Sequence, residues 1–186
     1  MTLEEIRRQI DTVDSQIKPL FLQRMECAGQ VAEEKARTGG AVFVLERELE
    51  IVQKRTEDVD EDIREEYAAF LRHLMSVCRR YEYGYLKCMQ NEVVDGALAG
   101  AVVCRETEHE KVRITCSCKA SCSNLHLYLN MASLNQIPIE KMSVTTEADE
   151  QMIDMTLMGN VNDGNMRQLL CQIGKESDHF TILALE

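Results

Sequence analysis

Arg24 and Lys35 are separated by eleven residues in a stretch with helical periodicity. At about 100° per residue the two cations fall within roughly 20° of each other. They lie inside the apolar stripe of Ile6, Ile10, Val13, Ile17, Leu20, Ala28 and Val31, and Arg7 lies about 100° away at the stripe's edge. A cation on an inward face is costly unless something anionic meets it. Two readings follow. Either the helix lines a site for an anionic ligand, or the cations pair with carboxylates on neighbouring helices.

Carboxylates on inward faces are present. Glu48 lies one turn from both Val44 and Val52, next to Arg47. Glu82 sits within the stripe formed by Leu71, Met75, Cys78, Tyr85 and Met89. A carboxylic acid among apolar neighbours is favoured in its neutral form, which can donate a hydrogen bond. The alternative for Glu82 is a buried salt bridge to Arg24 or Lys35.

The elements that must hold these residues read as helices from 1 to about 90. Thr2 can cap a first helix running to about Arg37, with Glu4 and Glu5 favoured in its first turn by the helix dipole. Pro19 is on the polar face and predicts a kink rather than a stop, and Thr38-Gly39-Gly40 ends the helix. A short helix is predicted over 44–57 and a third over 62–89. A first helix of about 35 residues would be roughly 50 Å long, more than a 90-residue monomer can cover. Its stripe therefore predicts an intertwined homodimer. Residues 91–111 read as a linker: small and apolar from Val93 to Val103, then charged from Arg105 to Lys111.

From Val112 the hydrophobic period falls to two, as in a strand. A helix over 123–136 with Leu125, Leu129 and Ala132 on one face comes next. Strands over 139–146 and 151–161 follow, then an Asn162-Asp163-Gly164 helix start and a helix with Met166, Leu169, Leu170 and Ile173 inward. A last strand over 180–185 completes the order βαββαβ of ferredoxin-like domains. The expected organisation is a helical domain over 1–90, a linker over 91–111 and an α/β domain over 112–186.

The chain of 186 residues carries a net charge of −11, which argues against a nucleic-acid partner. No segment has the roughly 20 apolar residues of a membrane span, and the start lacks the pattern of a signal peptide. A cytoplasmic location is expected. There, the eight cysteines are expected as reduced thiols. Cys116, Cys118 and Cys122 do not have the C-x2-C spacing of a zinc site, so no metal is expected. Cys116 and Cys118 read as small apolar residues on one face of a strand.

Residues 6–14 (IRRQIDTVD), 22–26 (LQRME), 31–35 (VAEEK), 42–48 (VFVLERE) and 74–82 (LMSVCRRYE) together resemble the all-helical, AroQ-type chorismate mutases. The resemblance covers about residues 3–86. It implies an all-α intertwined dimer with shared sites, chorismate as substrate and no cofactor. Arg24 and Arg47 would hold the substrate carboxylates, and Arg7 would reach into the partner's site. Lys35 would donate to the ether oxygen of the breaking bond, and Glu48 would hold the ring hydroxyl. Glu82 falls where many members have Gln, a second donor to that oxygen, so it would need a proton to donate. Cys78 stands where Ser is common in substrate contact, and Val44 where Asp is common. Isochorismate pyruvate lyase shares a similar helical site. A non-catalytic sensor, using the helices only to dimerise, would leave the cations at 7, 24, 35 and 47 unexplained.

The C-terminal half resembles an ACT regulatory domain, through element order and the helix-to-strand junction at Ile137-Pro138-Ile139. That resemblance implies either an aromatic amino-acid effector, held at Ser123, Asn124 and Leu125, or a dimerising domain without a ligand. The segment Ser121-Cys122-Ser123-Asn124-Leu125 has no Gly, unlike the family pattern. No dehydratase or dehydrogenase domain is read in the chain, so prephenate is expected to be processed by another protein.

Overall fold

The structure, a computed structural model, describes residues 1–99, 106, 108–120 and 125–186. Helix α1 spans Leu3–Thr38. Thr2 and Glu5 form a reciprocal capping box at its start, satisfying two backbone donors that a helix end leaves open. The helix runs through Pro19 without a stop. Gly39 ends it in the left-handed region at φ 72°, its N–H donating to the Lys35 carbonyl at 2.8 Å.

Only the second half of α1 is packed. Every residue from Met1 to Arg24 is exposed, and Ala28 and Ala32 are fully buried against α3. The small side chains there let the two helices approach closely. The apolar stripe of the first half stands in solvent, with Ile10, Val13 and Leu20 each more than half exposed.

Helix α2 spans Leu45–Thr56. A 3-10 turn over Glu61–Ile63 leads into α3, Arg64–Tyr85, and α4, Lys87–Ala99. The break at Leu86, whose backbone leaves the helical region, divides the single helix expected over 62–89. It also redirects the face. Tyr83 is fully buried, whereas Tyr85, expected inward, is about half exposed and packs edge-on against Tyr81. Residues 91–99, expected as linker, are helical. Val94 and Leu98 of α4 are buried in the core of the C-terminal domain, against α6 and β4.

The C-terminal elements are β1 (Lys111–Lys119), α5 (Leu125–Leu134), β2 (Ile139–Glu147), β3 (Glu150–Met158), α6 (Gly164–Glu176) and β4 (Asp178–Leu185). The four strands form one antiparallel sheet in the order β2-β3-β1-β4. Val112, Ile114 and Cys116 of β1 and Ile153, Met155 and Leu157 of β3 build one core with Met166, Leu169, Leu170 and Ile173 of α6. Alternation marks the strand residues of this set and helical periodicity the α6 face. On α5 the inward set is Leu127, Tyr128, Met131 and Ala132, while Leu129 is about half exposed. The α5 face is thus turned from the expected one, because α3 packs against this helix as well as α6.

The two halves are joined by more than the chain. Gln168 and Gln172 of α6 donate to the Arg80 and Ser76 carbonyls of α3, at 2.6 and 3.3 Å. A Cβ on Gly174 would stand 2.7 Å from Phe180 and 2.8 Å from Val93, so α6 meets α4 and β4 at a point with no room for a side chain. Among the described residues no helix is long and apolar enough to cross a membrane.

Candidate active site

The end of α1, the loop after it, the start of α2 and the middle of α3 enclose an open pocket of about 220 Å³. Gly39 turns the chain back over the last turn of α1, so the Val42 carbonyl accepts a hydrogen bond from Lys35 Nζ at 3.3 Å. Extended Val44 opens α2 and places Arg47 and Glu48 on its first turn, where the helix dipole favours Glu48. One turn of α3 separates Cys78 from Glu82, and both side chains are buried.

Six of the seven substrate-site residues expected from the sequence line this one pocket: Arg24, Lys35, Arg47, Glu48, Cys78 and Glu82. Arg7 is not among its lining. It stands on the exposed first half of α1, well away from the pocket formed by its own chain. Ser123 and Asn124 lie outside the described residues, as does Cys122. Leu125 is half-buried at the start of α5, packed against the sheet core.

The electrostatics are specific. Lys35 Nζ donates to Glu82 Oε2 at 2.8 Å, so the ion pair weighed for Glu82 is formed. Arg24 and Arg47 are exposed at the pocket mouth. Among the described residues neither has an ion-pair partner, which leaves their guanidinium forks open to a carboxylate. Burial pushes the Cys78 thiol above its ordinary pKa, with Arg24 opposing the shift; its Sγ points at Met25 Sδ, 3.8 Å away. It serves as a neutral, weakly polar wall.

Two residues here carried no sequence expectation. Arg79 follows Cys78 and is only 4 % exposed. It donates to Glu48 and to Glu176, and the latter comes from the C-terminal domain. The one local signal for Arg79 is its place three residues before Glu82, on the same side of the helix. Glu176 offered no local signal.

Cys116 and Cys118 are buried thiols in β1, as the strand reading held, and burial pushes Cys116 up to about 11. Among the described residues no group of three or more His, Cys, Asp or Glu is placed to hold a metal ion.

Helices α1, α2 and α3 thus bring four cations, Arg24, Lys35, Arg47 and Arg79, and two carboxylates, Glu48 and Glu82, to one pocket, with the exposed Arg24 and Arg47 at its mouth. Residues 6–83 match the family model described as chorismate mutase type II. No curated protein matches the chain, and no solved structure matches it.

Proposed function

We propose that the helical domain converts chorismate to prephenate by an intramolecular [3,3] rearrangement. The observation that carries this reading is the convergence of Arg24, Lys35, Arg47, Glu48 and Glu82 on one pocket within the family match. The substrate is a dianion, and the reaction needs neither nucleophile nor cofactor. It needs a compact conformer held in place and charge stabilised on the ether oxygen as the carbon–oxygen bond lengthens.

The roles follow from position. Arg24 and Arg47 at the mouth take the two carboxylates. Lys35, deep in the pocket, donates to the ether oxygen. Glu82 beside it is the second donor when protonated, because a carboxylate only accepts. Glu48 accepts from the ring hydroxyl. Closing a polar pocket around the dianion removes water and strengthens each of these interactions.

The exposed first half of α1 supports a shared site. Arg7 stands on it, away from the pocket of its own chain, and the bare apolar stripe around it is the surface a second copy would cover. There Arg7 adds a cation to the partner's dianion site. On this reading the protein is a homodimer with intertwined first helices.

The C-terminal domain is proposed to be ferredoxin-like and ACT-related. Its βαββαβ element order and its β2-β3-β1-β4 antiparallel sheet support this. Its proposed task is regulation by an aromatic amino acid.

Spectrophotometric loss of chorismate by the full chain, with prephenate formed in equal amount, is the test. Adding phenylalanine or tyrosine to the same assay examines the second domain. Turnover of isochorismate to pyruvate without turnover of chorismate would replace the proposed reaction with a lyase. A pocket that binds chorismate without consuming it would make the protein a sensor.

A further inference from the structure

Arg79 stands between carboxylates from two domains. Its Nε and Nη2 donate to Oε1 and Oε2 of Glu176, each at 2.7 Å, and its Nη1 donates to Glu48 Oε1. The Phe43 ring lies under the guanidinium, 4.9 Å from centroid to Cζ. Glu176 is the last residue of α6 and is itself held. Gln172 Nε2 donates to its Oε1 at 3.1 Å, and the Tyr128 hydroxyl donates to its backbone carbonyl at 3.4 Å. Among the described residues, no other side-chain hydrogen bond or ion pair ties the C-terminal domain to a residue of the helical pocket.

Two-point pairing with Glu176 fixes the plane of the guanidinium, so the remaining Nη1 can point in only one direction. That direction is Glu48. Lys35 and Glu82 also lie close enough for their charges to act on Glu48. An unheld Glu48 would be drawn toward Lys35, the cation needed at the ether oxygen. An unheld Arg79 would turn its charge into the anion pocket it lines. Packing alone does not prevent this. A cavity of about 110 Å³, lined by Leu45, Leu49, Val52, Leu127 and Met131, flanks Arg79 and leaves the side chain room to move.

We propose that Arg79 is a positioning residue for Glu48, and that Glu176 anchors Arg79, so the C-terminal domain completes the active site of the helical domain. The catalytic part rests on the mutase reading of the pocket. The three-residue relay Glu176–Arg79–Glu48 is the physical path by which a change at the end of α6 reaches the substrate acid.

The test is a double-mutant cycle in the full chain, read by activity and by unfolding. Glu176→Gln is expected to lower kcat/KM about tenfold in the wild-type background and less than about twofold when Glu48 is already Gln, because the two act through one path. Equal fold losses in both backgrounds would overturn the relay. In urea unfolding, Glu176→Gln is expected to lower the midpoint of the wild type. In an Arg79→Met chain it should leave the midpoint unchanged or raise it, since Glu176 there has lost its charge partner. A similar drop in both chains would also overturn it. If Glu176→Gln does not fold, Glu176→Asp takes its place, keeping the charge while shortening the reach. A wild-type chain that leaves chorismate unchanged would sink the substrate reading, and the unfolding cycle, run also with Glu48→Gln, would still decide the relay.

Discussion

Lys35 Nζ lies 2.8 Å from Glu82 Oε2, within a pocket that both line. As drawn, Glu82 accepts. In the proposed reaction it must donate, as must Lys35, so the pair must part or take up a proton when the substrate arrives. Gln at position 82 would donate at every pH and leave Lys35 free. Glu82→Gln is therefore expected to keep its turnover. Glu82→Ala should lose about a hundredfold in kcat, roughly 2.7 kcal/mol, the usual cost of deleting one oxyanion-type donor. Steady-state kinetics of the two variants beside the wild type would check this. If both variants are equally inactive, Glu82 is only the structural partner of Lys35.

Arg24 is exposed and, among the described residues, has no ion-pair partner, so its removal breaks no structural contact of that kind. Arg24→Ala should leave the unfolding midpoint within about 0.5 kcal/mol of wild type. The same change should lower kcat/KM by about a hundredfold or more, because one substrate carboxylate loses its fork. Near wild-type turnover in a folded variant would remove Arg24 from the site.

Arg7 and Arg24 belong to different sites if the first helices are exchanged between two copies. Arg7→Ala and Arg24→Ala chains, each inactive alone, should then regain activity when mixed under conditions that allow subunit exchange. Random pairing restores about a quarter of the sites, since half the dimers are mixed and each has one complete site. Verified exchange without recovery would count against a shared site.

Burial raises the Glu48 and Glu176 carboxyls above the ordinary value of 4.5, with Arg79 pulling both back. The upward direction follows from burial, which Arg79 offsets only in part because it serves two carboxylates. The folded chain thus holds protons that the unfolded chain has released. The stability this contributes is complete below the ordinary carboxyl range. It is lost as pH rises through the raised folded values. Glu48→Gln removes one of the competing charges. Its stability relative to wild type should improve as pH climbs from about 4.5 toward 7, while kcat/KM falls but stays measurable. Urea midpoints of the two proteins across that range give the difference. A gap that moves the other way would contradict the charge excess.

Much of this molecule is legible one element at a time. Thr2, Gly39 and the 3.6-residue stripe delimit α1, because caps and periodicity act within a few residues of the backbone they govern. The same holds for the alternation in β1 and β3 and for the inward face of α6. The cations at 24, 35 and 47 were legible for a related reason, since charge on or beside an apolar stripe is a local contradiction that calls for a partner.

Only the tertiary structure decided which partner each face meets. Periodicity marks a buried side without naming what buries it. That is why the division of 62–99 into two helices, and the exchange of Tyr85 for Tyr83 in the core, escaped the sequence. Both depend on α6 lying against α3 and α4, where Gln168 reaches the Arg80 carbonyl and Gly174 admits Val93. The separation of Arg79 from Glu176 by 97 residues is the extreme case. No spacing rule links positions so far apart. Their pairing exists because two domains, each folding around its own core, bring a buried guanidinium and a buried carboxylate to the same place.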